Sequence, residues 1–212
     1  MSRTSSRKPL SKTPVKRCWK KKIYICSEGG KINQTEKNYF TKFIDHKRFT
    51  ATYQTSSVTA YKQLYQDARK KIQSSREDQI DYAFILFDLD LDSNNWKEKI
   101  EFAKKNTTDQ ILFIPSNPMF EYWLLLHFEQ TRHGYNSKDE LMRQLRKHIP
   151  QYKKNYSNYQ ITSEQVHLAA KRAKLYLDPH NRKTDCELLD EIAKQTGTLV
   201  YRIIEVLDDT ES

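Results

Sequence analysis

No apolar run in this chain reaches the roughly 18 residues needed to span a bilayer, so a membrane-spanning segment is not expected. The first residues lack the apolar stretch of a secretory leader, and none is expected. Cysteine is scarce: Cys18, Cys26 and Cys186 are widely spaced, form no zinc pattern and cannot all pair. Such usage suits a reducing compartment and places the chain in the cytoplasm. No internal repeat is visible, which argues against a solenoid. Glycine is scarcer still, at four in 212 residues. Two of the four stand together after a carboxylate, in "YICSEGGKINQTEKNYF".

Positive charge is plentiful but unevenly placed. The net charge is +10. Residues 1–22 hold nine bases and no acid: Arg3, Arg7, Lys8, Lys12, Lys16, Arg17, Lys20, Lys21 and Lys22. The rest of the chain balances 28 bases against 27 acids. Residues 1–21 therefore read as a disordered basic arm rich in Ser and Thr. Its candidate nucleic-acid contacts are Arg3, Arg7, Lys8, Lys12, Lys16, Arg17 and Lys20, joined by Lys31 further on. A solvated tail without a partner is the competing reading of the same composition.

Periodicity gives the fold class. Residues 22–27, 49–54, 82–87 and 111–114 read as strands, and 35–45, 58–73, 96–104 and 118–128 as the helices between them. Strict alternation of strand and helix argues an α/β fold with a mostly parallel sheet covered on both faces. After residue 131 the pattern changes: 138–147, 163–177 and 185–207 read as helices. The chain thus divides into the arm, a catalytic core over 22–130, and a helical C-terminal region over 131–212 packed on that core.

The acids gather at expected strand ends. In "FILFDLDLDSNN" an extended chain puts Asp88, Asp90 and Asp92 on one face, just past an apolar strand. Glu28 ends another strand. In an open parallel sheet the carboxyl ends of the strands are where ligands bind, so these acids are expected on one rim. Clustered carboxylates need a compensating cation, and hard oxygen donors suit Mg²⁺ or Mn²⁺. One or two such ions can promote phosphodiester cleavage. The plainer reading is a turn of solvated acids capping the next helix. Gly29 and Gly30 permit close approach of a phosphate or metal beside Glu28. "GGKINQT" lacks P-loop spacing, so a nucleotide cradle is excluded.

A third stretch, "IPSNPMFEYWLLLHFEQ", reads as a helix started by Pro118 and capped by Ser116 or Asn117. Glu121 falls in its first turn, on the same rim as the other acids. Favourable placement of an acid at a helix N-terminus explains Glu121 equally well. His127 reads as a packing residue rather than a base.

These three stretches, in this order, resemble the signatures of the RloB-like family, whose members have a toprim-type fold and are related to the nuclease half of ATPase-linked defence systems against phage. The resemblance is densest over 22–130 and weaker near "DPHNRKTDCELLDEI"; its most specific part is "SNPMFEYWLLLHF". It implies a Mg²⁺- or Mn²⁺-dependent nuclease acting on DNA, tRNA or other RNA, switched on by an ABC- or AAA-type ATPase partner in abortive infection, and compatible with a homo-oligomer. Glu28 matches the toprim glutamate, a general acid/base or metal-holding residue. Asp88 and Asp90 match the DxD metal ligands, Glu121 matches the acid of the family's SNPxFE phrase, and Asp92 ranks below them. One departure is visible: six residues, "GGKINQ", separate Glu28 from Thr35 and Glu36, where the family has a shorter turn. Glu36 is therefore expected to miss the position of its family counterpart.

Two other readings share the acids. "FDLDLDS" also resembles the nucleophile motif of haloacid-dehalogenase-type phosphatases, but the downstream acidic pair which that family needs is found only at Asp208 and Asp209, and a Glu-Gly strand precedes the DxD. A non-catalytic subunit binding nucleic acid or a partner through the basic arm would leave the acids merely structural.

Overall fold

The computed structural model describes residues 20–28, 34–56, 61–74, 78–89, 95–131, 134–135 and 137–209. Its core is a five-stranded sheet in the order β2-β1-β3-β4-β5. The strands are β1 (Lys21–Glu28), β2 (Phe49–Ser56), β3 (Tyr82–Asp88), β4 (Ile111–Asn117) and β5 (Gly197–Thr198). All pairings are parallel except that of β4 with β5. The α/β class expected from alternation is the observed one. β1 and β3 are central, and five consecutive residues in each, Ile23 to Ser27 and Ala83 to Phe87, are buried. Burial on both faces explains their continuous apolar runs.

Helices α1 (Thr35–Phe43), α2 (Tyr61–Ile72) and α3 (Trp96–Asn106) connect successive strands. On one side of the sheet Tyr61 of α2 and Phe102 of α3 meet edge-to-face at 5.3 Å, with Phe87 of β3 against Tyr61. On the other side Tyr39 of α1 contacts Phe120 and Trp123, the latter in α4 (Glu121–Leu126). The chain leaves β1 toward β2 on one side and leaves β3 toward β4 on the other. The order therefore reverses between β1 and β3, which makes a crevice at their carboxyl ends. That topology positions the site.

The elements after β4 depart from the pattern reading. Strand β4 runs through Pro115 to Asn117, three residues past the expected end. Proline cannot donate to a ladder, but on the side away from β3 the neighbour β5 pairs only with Ser116 and Asn117, so little is lost there. The expected helix 118–128 is shorter. The Asn117–Pro118 peptide is cis, and Pro118 lies outside α4. Nor do Ser116 and Asn117 cap it. Ser116 Oγ shares a 2.7 Å hydrogen bond with Thr198 Oγ1, while Asn117 Nδ2 donates to the Ile192 and Gln195 carbonyls at 3.0 Å each.

The C-terminal helices are α5 (Lys138–His148), α6 (Ser163–Leu177), α7 (Asp185–Ile192) and α8 (Val200–Asp209). A single helix over 185–207 is not formed, because "QTGT" breaks it and supplies β5. A Cβ on Gly197 would stand 3.0 Å from Ile192 Cδ1 and 3.1 Å from Leu177 Cδ2, so glycine lets β5 pack tightly there. The region after residue 131 is thus mainly helical, yet it completes the sheet. Among the described residues no helix is long and apolar enough to cross a membrane.

Candidate active site at the sheet switch point

Two strand ends carry acids into the crevice. Glu28 closes β1 and Asp88 closes β3, on adjacent parallel strands. They are engaged from different sides. Lys99 of α3 donates to Glu28 Oε2 at 2.7 Å and to the Asp88 carbonyl at 3.3 Å, and both side chains of that ion pair are largely buried. The Asp88 carboxylate instead accepts from the Phe120 backbone N–H at 3.0 Å, on the α4 side.

A second cluster surrounds Asp88. Glu121 is fully buried at the start of α4. Its Oε1 accepts from Tyr152 Oη and from Lys154 Nζ, both at 2.9 Å. Glu36, in the first turn of α1, shares the field of these acids. Burial, then the Asp88 charge, pushes the Glu36 carboxyl up to about 8. Burial, then the Glu121 charge, pushes Asp88 up to about 7, against the opposing pull of Lys154 and the Phe120 N–H. Burial pulls the Lys154 ammonium down, but Glu121, Asp88 and Glu36 outweigh it and its pKa rises.

Tyr152, Lys154 and their neighbours form a strap over this cluster. Asn155, at φ 73° in a region that asparagine tolerates, holds it in place. Its Oδ1 accepts from the Gln34 N–H at 2.8 Å, and its carbonyl accepts from Asn38 Nδ2 at 3.1 Å. The strap thus joins the start of α1, carrying Glu36, to the start of α4, carrying Glu121. Burial, then the Glu121 charge, holds the Tyr152 and Tyr159 phenols far above their ordinary range.

The site residues expected from sequence divide as follows. Asp88 and Glu121 come together, and Glu28 lies on the same rim but paired with Lys99. Asp90, Asp92, Lys31, Arg3, Arg7, Lys8, Lys12, Lys16 and Arg17 lie outside the described residues. Lys20 sits before β1, at the opposite end of the sheet, where it donates to the His46 carbonyl at 2.6 Å. Glu36 lies in the first turn of α1, within the field of Asp88 and Glu121. His127 is a packing residue as expected. Its Nδ1 faces the Trp123 and Leu124 carbonyls and its Nε2 the Tyr39 hydroxyl, and burial lowers it to about 4. Lys99, Tyr152 and Lys154 were missed. The signal for Lys99 was slight: a lysine between Trp96 and Ile100 on the inner face of a short helix.

Whether the residues fit a divalent cation turns on two observations. Glu36 Oε2 and Glu121 Oε2 are buried without a hydrogen-bond partner among the described residues. Asp88 and Glu36 hold their protons toward neutral pH. Both mark a place short of positive charge. Among the described residues no group of three or more His, Cys, Asp or Glu forms a ready metal cage. Magnesium does not need one, since it keeps waters and uses one or two carboxylates plus substrate phosphate. The donor chemistry fits.

A mostly parallel α/β sheet with an acidic crevice at its switch point defines the class of protein. Within that class the chain belongs to the RloB-like family, whose model, described as RloB-like protein, matches residues 23–207. The match runs well past residue 130 and takes in Tyr152, Lys154 and β5. No curated protein and no solved structure matches the chain.

Proposed function

We propose that this protein is a divalent-cation-dependent nuclease of the toprim type that cuts phosphodiester bonds in nucleic acid. The observation that carries this reading is the burial of Glu36 Oε2 and Glu121 Oε2 without a hydrogen-bond partner among the described residues, in one field with Asp88 at the end of β3. A mere helix cap would leave solvated, ordinary carboxylates. Here burial and mutual repulsion keep acids where only added positive charge relieves them. Asp88 and Asp90 would hold Mg²⁺ or Mn²⁺, with Glu121 and Glu36 within electrostatic reach. A bound ion of this kind supplies Lewis-acid polarisation of the phosphodiester and a counter-charge for its leaving oxygen. Glu28, held at the end of β1 by Lys99, would move a proton at its carboxylate. Lys154 lowers the negative charge that a polyanion meets on approach. The family resemblance adds an ABC- or AAA-type ATPase as the activating partner and an antiviral setting, and the cysteine usage adds a cytoplasmic location.

A second reading is a binding subunit without catalysis. The Glu28–Lys99 ion pair favours it, because a paired glutamate is a poorer base than one facing substrate. One experiment separates the two. The full chain is expressed alone and with candidate ABC- or AAA-type ATPase partners from the same genome, and the ends of cellular RNA and DNA are sequenced. New ends that vanish in Asp88→Asn support the nuclease. Unchanged ends, with nucleic acid still bound in EDTA, support the binding subunit.

A further inference from the structure

Outside the acidic crevice, one stretch of the body concentrates positive charge that the whole-chain balance hides. Residues 141–163 contain no acid and five bases, Arg143, Arg146, Lys147, Lys153 and Lys154. Of these, Arg143, Lys147 and Lys153 make no ion pair among the described residues. Tyrosines are interleaved with them, and the stretch includes the strap that reaches Glu121.

Against this stretch lies a cavity of about 310 Å³. Its walls include Phe128, His148, Gln151, Tyr156, Asn158 and Gln160. Phe128 and His148 are stacked, with ring centroids 5.1 Å apart and planes 6° from parallel. Glu129 Oε2 fixes His148 through a 3.0 Å contact with Nε2. The aromatic wall is therefore held rigid. The three amides are exposed, and their side chains find no hydrogen-bond partner among the described residues. Tyr156 continues the wall toward Tyr152, the phenol bonded to Glu121, at 5.8 Å between centroids.

Aromatic rings and exposed amides lining one cavity, with Arg143, Lys147 and Lys153 on the same stretch of chain, match the chemistry of a single nucleic-acid strand. Rings stack on an unpaired base, amides read its polar edge, and lysines follow the phosphates. A duplex offers no free base face to such a wall. We propose that this cavity is a base-binding subsite that takes an unstacked nucleobase of a single strand, beside the acidic crevice. The proposal rests on the nuclease reading for its destination, and it names the substrate class: single-stranded nucleic acid, with a strand leading past Lys153 toward the acidic crevice.

The test is fluorescence anisotropy of the full chain with labelled 12-nucleotide single strands, RNA and DNA, and with the matching duplex, all in EDTA. The variant is Gln151→Ala/Asn158→Ala/Gln160→Ala, whose exposed positions leave the fold intact. A second variant, His148→Ala, removes half of the stacked wall. Expected are tighter binding of a single strand than of duplex, and a loss of about tenfold or more in each variant. RNA preferred over DNA, or the reverse, assigns the strand. Equal or tighter duplex binding, no binding by the wild type, or wild-type affinity in both folded variants would overturn the subsite. The nuclease reading fails separately. A wild type that binds the strand through this cavity but cuts nothing with Mg²⁺, Mn²⁺ and the ATPase keeps the subsite and loses the nuclease. Cutting with unchanged Kd and KM in both variants does the reverse.

Discussion

Lys99 Nζ stands 2.7 Å from Glu28 Oε2 and 3.3 Å from the Asp88 carbonyl oxygen, so one ammonium joins the ends of the two central strands. The pair is largely buried. Removing one member of a buried ion pair costs about 3–5 kcal/mol. Lys99→Met is expected to lose stability of that order in urea unfolding. Adding Glu28→Gln should recover much of the loss, since no lone charge then remains. A loss in Lys99→Met below about 1 kcal/mol would mean that solvent replaces the lysine.

The acids around Asp88 make stability depend on pH in an unusual direction. Their ordinary values are near 4, while the folded protein raises Asp88 to about 7 and Glu36 to about 8. Between those limits the folded state binds more protons than the unfolded state, so stability falls as pH rises. In EDTA the melting temperature should drop by several degrees from pH 5 to pH 8, at about 2–4 °C per kcal/mol for a chain of this size. A cation competes with those protons. Mn²⁺ should therefore raise the melting temperature most at pH 8 and least at pH 5. A rise in EDTA stability across that range would show that these carboxylates do not govern it.

Glu36 is expected to matter as much as Asp88. Both sit in one field with Glu121, so replacing either by its amide removes a charge from the same place. Glu36→Gln should weaken Mn²⁺ binding by roughly 10–100-fold. It should also stabilise the metal-free protein at pH 8, where the native carboxyl is forced to ionise. Calorimetric titration and thermal melting read the two effects separately. Unaltered Mn²⁺ affinity in Glu36→Gln, with affinity lost in Asp88→Asn, would put Glu36 outside the ion's reach.

Much of this was legible in the sequence, for local reasons. The strands β1 and β3 declare themselves by apolar runs that end on Glu28 and Asp88, and period alone gives the helices between them. What the sequence hides is set by distance along the chain. Glu121 is 31 residues from Tyr152, and Glu28 is 71 from Lys99. No periodicity links such positions. Strand β5 is two residues long, too short to carry an alternation. The coupling of Glu36 to Asp88 is hidden in the same way, because Asn155, more than a hundred residues on, ties the start of α1 to the strap.

The basic arm is the last feature open to a direct test. Lys20 lies at the end of the sheet opposite the acids, with its ammonium on the His46 carbonyl, so β1 begins immediately after it. Removing residues 1–19 should leave the folded body intact, with the same far-ultraviolet dichroism and melting temperature. It deletes six bases: Arg3, Arg7, Lys8, Lys12, Lys16 and Arg17. If these meet phosphates, each lost contact lowers the salt slope of binding by about 0.9 on duplex or 0.7 on a single strand. A total fall of about 4–5 is then expected when all six engage. Turnover at saturating substrate should hold, because the arm joins β1 at the end of the strands away from the acids. The slope is the decisive measurement, since affinity at one salt concentration mixes charge with base contacts. An unchanged slope with weaker binding to a proposed ATPase partner would instead make the arm a protein-docking segment, leaving phosphate attraction to Lys147, Lys153 and Lys154.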